Sequence, residues 1–194
     1  MSGTPKKSKA EIATIDCTLI TIDTGSAEIG FDTSNKISVE PQVEESDAVR
    51  LIVKGILRAQ KPADKTLTGN EITLTDNVFN PELVQILQGG ELQWDLEEPT
   101  KLKKYTPPLA GSKDKGKPFT LNAYSAQYDA AGTIVNYEKI SYPNCKGMPI
   151  ALSSEDGVFR VPEYVITSAP KIGEAPYVIE YVDALPELSP AELA

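Results

Sequence analysis

Gly69-Asn70-Glu71-Ile72-Thr73-Leu74-Thr75-Asp76-Asn77-Val78-Phe79-Asn80-Pro81-Glu82-Leu83-Val84-Gln85-Ile86-Leu87-Gln88-Gly89-Gly90 contains two different periodicities in one short run. From Glu71 to Thr75 apolar and polar residues alternate, as in a strand with one covered face. At Asn80 the pattern changes. Asn is a helix N-cap residue, Pro81 fits the first helical position, Glu82 sits near the positive end of the dipole, and glycine follows the last turn. The run therefore predicts a short strand followed by a helix of about two turns, too short to stand alone in water. Leu83, Val84, Ile86 and Leu87 are its docking residues, facing a sheet, with Asn80 and Pro81 fixing its start.

Outward from this unit the period is two almost everywhere. Ile12 to Ile22 reads as a strand with Ile15, Cys17 and Leu19 on one face and Ile20 and Ile22 continuing the other. Val49-Arg50-Leu51-Ile52-Val53 and Ile56-Leu57-Arg58 read as one β-rich run with a bulge or close backbone approach at Gly55. Phe119 to Tyr128 and Thr133 to Tyr142 form two strands joined by Asp129-Ala130-Ala131-Gly132, a hairpin loop with a left-handed glycine. Val158 to Thr167 and Pro176 to Val182 complete the set, their prolines marking edges, bulges or strand starts. The expected class is mainly β, an antiparallel β-sandwich or barrel with one short flanking α-helix.

The expected organisation is a flexible arm at 1–10, one β-sandwich domain at 11–182 and an extended C-terminal arm at 183–194 that orders only against a neighbour. Within the domain, 23–47 and 96–118 read as long loops, the first with a short strand at Lys36 to Glu40. The second holds Lys101, Lys103, Lys104, Lys113, Lys115 and Lys117 against a single acid, Asp114.

Charge and composition narrow the chemistry. The 194 residues carry a net charge of -9 and no histidine, which removes Ser-His and Cys-His nucleophile pairs and the commonest zinc sites. Cys17 and Cys145 are far apart; Cys17 reads as a small buried hydrophobe, and Cys145 as a turn residue beside Lys146. Glu44-Glu45 and Glu97-Glu98 are sequence neighbours, which on a strand point to opposite faces and suit no paired acid/base site. Asp76-Asn77 lacks the spacing of a calcium loop, and no glycine-rich phosphate loop is present. Tyr124, Tyr128, Tyr137 and Tyr142 occur in an acidic chain, so packing explains them better than nucleic-acid stacking. The expectation is of no enzyme, no cofactor and no metal. No apolar run reaches the length of a membrane span, and Met1 to Ala10 leads into no signal-type apolar segment, so the product is expected to stay where it is made.

The strand-helix unit from Gly69 to Val84, closed by Gly89-Gly90, resembles that of bacteriophage major tail tube proteins. So does the order of Tyr142-Pro143-Asn144-Cys145-Lys146-Gly147, Glu155-Asp156-Gly157-Val158-Phe159, Pro162-Glu163-Tyr164-Val165-Ile166 and Gly173-Glu174-Ala175-Pro176-Tyr177. The similarity covers roughly 45–185 and departs at the lysine-rich insertion after Trp94. It implies a virion subunit, assembled in the host cytoplasm, whose hexameric rings stack into a tube through which phage DNA leaves without specific binding. It also implies tape measure, tail terminator and baseplate or distal tail proteins as partners. On that reading the six lysines, Glu44, Glu45 and Glu187 are expected at inter-subunit contacts, basic loop against acidic body. The alternative is a β-sandwich binding module for carbohydrate or a host surface. Such a module would display an aromatic platform, whereas Trp94, just after the helix, is expected to be packed.

Overall fold

The computed structural model describes residues 12–98, 101–112 and 116–188, so the arm 1–10, Lys113, Lys115 and residues 189–194 lie outside the described residues. The chain is mainly β, every strand pairing is antiparallel, and one short helix flanks the sheet. In chain order the elements are β1 (Thr14–Asp23), β2 (Glu28–Phe31), β3 (Ser34–Ser46), β4 (Val49–Val53), β5 (Ile56–Lys61) and β6 (Asp64–Asp76). Then follow α1 (Pro81–Gln88), β7 (Glu91–Trp94), β8 (Leu102–Thr106), β9 (Phe119–Tyr128), β10 (Ile134–Gly147), β11 (Glu163–Ser168) and β12 (Val178–Val182).

The main sheet runs β2-β1-β9-β10-β11-β6-β3, with β12 on β10 beside β11. It curls over its own core without closing into a barrel. Ile20 and Ile22 of β1, Phe119 and Leu121 of β9, Ile72 and Leu74 of β6, and Tyr164 and Ile166 of β11 meet inside with Leu83, Val84 and Leu87 of α1. Ile86 is half-buried against the same cluster.

Asn80 caps α1 with its side-chain oxygen, accepting from the N–H of Glu82 at 3.0 Å and of Leu83 at 3.3 Å. Its own N–H donates to the Tyr164 hydroxyl, which ties the helix start to β11. Asn80→Ala is expected to lower stability by about 1 kcal/mol in urea denaturation, with the slope unchanged; a midpoint equal to wild type would show the cap to be dispensable. At the other end Gly89, at φ 80°, donates its N–H to the Gln85 carbonyl.

Several sequence expectations are corrected. The segment 23–47 is not a loop: β2 and the long β3 occupy most of it. Its Ser, Thr and Glu residues resemble loop composition because only Ile37 and Val39 of β3 pack on the core. Within 96–118, β8 pairs with β7, and Tyr105 anchors the helix end by donating to the Gly89 carbonyl and accepting from Gln88 Nε2, each at 2.7 Å. The strand at Glu71 to Thr75 extends back to Asp64, and β11 begins only at Glu163, after Pro162. In β1 the alternation breaks: Asp16 has φ 65°, the register shifts between Ile15 and Leu19, and Cys17 packs on the core with Ile20 and Ile22 while Ile15 is exposed. A bulge residue inverts side-chain parity, so a strict period of two misplaced these residues.

Pro143-Asn144-Cys145-Lys146-Gly147 is likewise a bulge inside β10 rather than a turn, with Asn144 at φ 50°. The bulge turns Cys145 into the core, where it is 0% exposed and burial pushes its thiol up to about 11. Leu188 lies over Gly30 of β2, and the remainder of the C-terminal arm is outside the described residues.

Candidate assembly surfaces

The surface with least support from its own chain is a two-stranded arm. β3 and β6 pair from Ser34 and Asp76 to Ser46 and Asp64, and β4 and β5 continue the ladder from Val49↔Lys61 to Val53↔Ile56. Lys54 (φ 50°) and Gly55 (φ 77°) close it. Both turn positions are left-handed, the two-residue geometry whose twist matches a hairpin. Gly55 is thus a turn, and the expected irregularity falls instead at Arg58, where the register shifts opposite Leu51 and Ile52.

Every residue of β4 and β5 is exposed. Val49 is 64% exposed, Ile52 59% and Ile56 55%. Cross-strand partners share a face, so Arg50, Ile52, Leu57 and Gln60 point one way and Val49, Leu51, Val53, Ile56, Ala59 and Lys61 the other. Both faces therefore carry large apolar side chains, unlike a surface hairpin with one wholly polar side. From 49 to 61 the arm holds Arg50, Lys54, Arg58 and Lys61 and no acid. An isolated hairpin is marginal in water, and fully burying its six large apolar side chains at roughly 1.5–3 kcal/mol each would contribute about 10 kcal/mol gross.

β12 makes a second open surface. It covers the first half of β10 while β11 covers the second, and its outer edge pairs with no strand among the described residues. Ile179 lies opposite Ile140, which packs on the core, and Tyr181 lies opposite Glu138. The core face of the sheet thus continues outward as a ledge of Tyr177, Ile179 and Tyr181, each close to half exposed. Tyr177 packs against buried Tyr142 with ring centroids 6.3 Å apart. Glu138, which accepts from the Tyr181 hydroxyl, and Asp183 make the ledge acidic.

The outward face of β3, β6 and β11 is polar. Lys36, Thr75 and Glu163 lie in one row, Ser38, Thr73 and Val165 in the next, and Glu40, Glu71 and Thr167 in the third, beside Lys146 of β10. Across the sheet a hydrogen-bonded chain pins β2, β1, β9 and β10 together. Thr21 donates to Glu28 at 2.6 Å, Asn122 donates to Thr21 at 3.1 Å, and Ser141 donates to Asn122 at 2.7 Å.

The charged residues expected at contacts have varied settings. Lys103 pairs with Asp95 at 3.2 Å, Lys101 with Glu98 at 3.6 Å, and Lys65 with Glu45 at 3.4 Å. The Glu97 N–H and then Lys103 hold the Asp95 carboxyl below its usual range. Lys104, Lys117, Glu44 and Glu187 are exposed. Trp94 is 37% exposed at the end of β7 rather than enclosed. Sequence reasoning missed the arm as a surface; the signal available was four bases without an acid inside an apolar run.

Among the described residues no group of His, Cys, Asp or Glu could hold a metal ion, and no helix is long and apolar enough to cross a membrane. No family model matches the sequence, and no curated protein matches it. Among solved structures the chain is similar to one in the cryo-EM structure of the anti-feeding prophage (AFP) baseplate, 6-fold symmetrised. The alignment has 11% identity, covers 94% of this chain and 95% of that one, and gives a TM-score of 0.32.

Proposed function

We propose that this chain is a structural subunit that polymerises as stacked hexameric rings into the tube of a phage-type tail. The observation that carries the reading is the β4–β5 arm, which carries large apolar side chains on both faces and is exposed throughout among the described residues. Apolar patches of this kind mark contact sites, and long exposed strand edges invite pairing with other chains. A contact between two different patches on identical subunits repeats, giving rings where the rotation closes and filaments where it does not. The resemblance of the strand-helix unit to tail tube proteins supports the same geometry.

The role is structural rather than catalytic on this reading. The outward face of β3, β6 and β11 would line the channel, its Ser and Thr hydroxyls lying between three carboxylates and two ammonium groups. Phosphate binding grows with each Lys or Arg contact, so a wall near charge balance lets DNA slide. Electron microscopy of the concentrated protein tests the proposal. Filaments with a six-fold cross-section are expected, whereas a monodisperse monomer that binds glycan would replace the tube with the binding module.

A further inference from the structure

We infer that the Arg50–Ile52–Leu57 face of the β4–β5 arm docks on the β12 ledge of a second copy of this chain. The inference rests on the polymer reading and names the contact within it. The two surfaces are complementary in charge and in hydrophobicity: Arg50, Ile52 and Leu57 on the arm, Glu138, Ile179 and Tyr181 on the ledge. Each has an open strand edge, so backbone pairing can add to side-chain burial. The chain cannot satisfy the match internally, because all of β4 and β5 is exposed in the folded subunit. The opposite charges steer the encounter and disfavour contacts of the basic arm with like-charged surfaces.

The test uses the full chain under assembly conditions. Ile52→Cys with Ile179→Cys places one thiol on each surface; mild oxidation is expected to give a ladder of covalent multimers. Leu51→Cys with Ile179→Cys, on the opposite face of the arm, is expected to give none. Arg50→Glu is expected to raise the protein concentration needed for assembly about tenfold or more, from like-charge apposition, and Glu138→Lys in the same chain to restore it. Circular dichroism checks that each variant is folded.

Tubes without the ladder would overturn this contact and leave the tube reading standing. A ladder limited to soluble dimers would keep the contact and remove the tube. Arm-dependent sedimentation with phosphatidylserine/phosphatidylcholine vesicles, in the absence of any ladder, would assign the basic arm to a lipid surface and overturn the inference.

Discussion

Replacing residues 47–63 by a two-residue Asn-Gly turn is expected to abolish filaments while leaving a folded, more soluble monomer. Every residue of the segment is exposed, so its removal takes away no core packing. Its base, Ser46↔Asp64 in the β3–β6 ladder, remains to be closed by the new turn. Thermal stability of the monomer should therefore change by about 1 kcal/mol or less, as for surface changes in general. Assembly, by contrast, loses a gross apolar contribution of about 10 kcal/mol per arm, comparable to the roughly 8 kcal/mol of a whole micromolar contact. Light scattering after gel filtration measures the oligomer, and a melting curve measures the fold. Filaments formed by the shortened chain at wild-type concentration would refute the assignment of the arm to assembly.

The helix was legible in the sequence because its signals are local: a cap, a proline, a spaced apolar set and a terminal glycine all fall within one short segment. The β9–β10 hairpin was legible for the same reason, through Asp129 and Gly132. Asp129 accepts from the N–H groups of Ala131 and Thr133, and Gly132 takes φ 80°. Features set by distant partners were not legible. Asp16 and Asn144 carry bulges whose place depends on the pairing with β9, so Cys17 changed face and Cys145, read as a turn residue, entered the core without any signal in their own neighbourhoods. The arm failed for another reason. Val49 to Leu57 has the composition of a doubly covered strand, and nothing in a single chain states that the cover belongs to another molecule. The segment Ser34 to Ser46 was legible as a strand only at Lys36 to Glu40, because a polar outward face gives the rest of β3 the composition of a loop.

Gly147→Ala is expected to destabilise the subunit by about 3–5 kcal/mol, beyond the usual range for one added methyl group. A Cβ at 147 would overlap the backbone and Cβ of Leu87 in α1, and on another side of the helix Gly116 faces the Ile86 and Leu87 carbonyls as closely. The obstacle is helix backbone, which no rotamer change relieves. The helix can only move off the sheet, and Leu83, Val84 and Leu87 lose part of their burial, worth roughly 1.5–3 kcal/mol each when complete. It cannot translate freely either, since Tyr105 holds its last turn and Gln88 Oε1 accepts from the Ile150 N–H at 3.1 Å. Urea denaturation beside Leu87→Ala gives the scale, because that change truncates the helix side of the same contact and costs about 2–5 kcal/mol. A Gly147→Ala midpoint within about 1 kcal/mol of wild type would mean that α1 slides at little cost. The two glycines would then not seat it. This variant also separates folding from assembly: it should lose filaments together with its melting temperature, whereas the arm deletion should lose filaments alone.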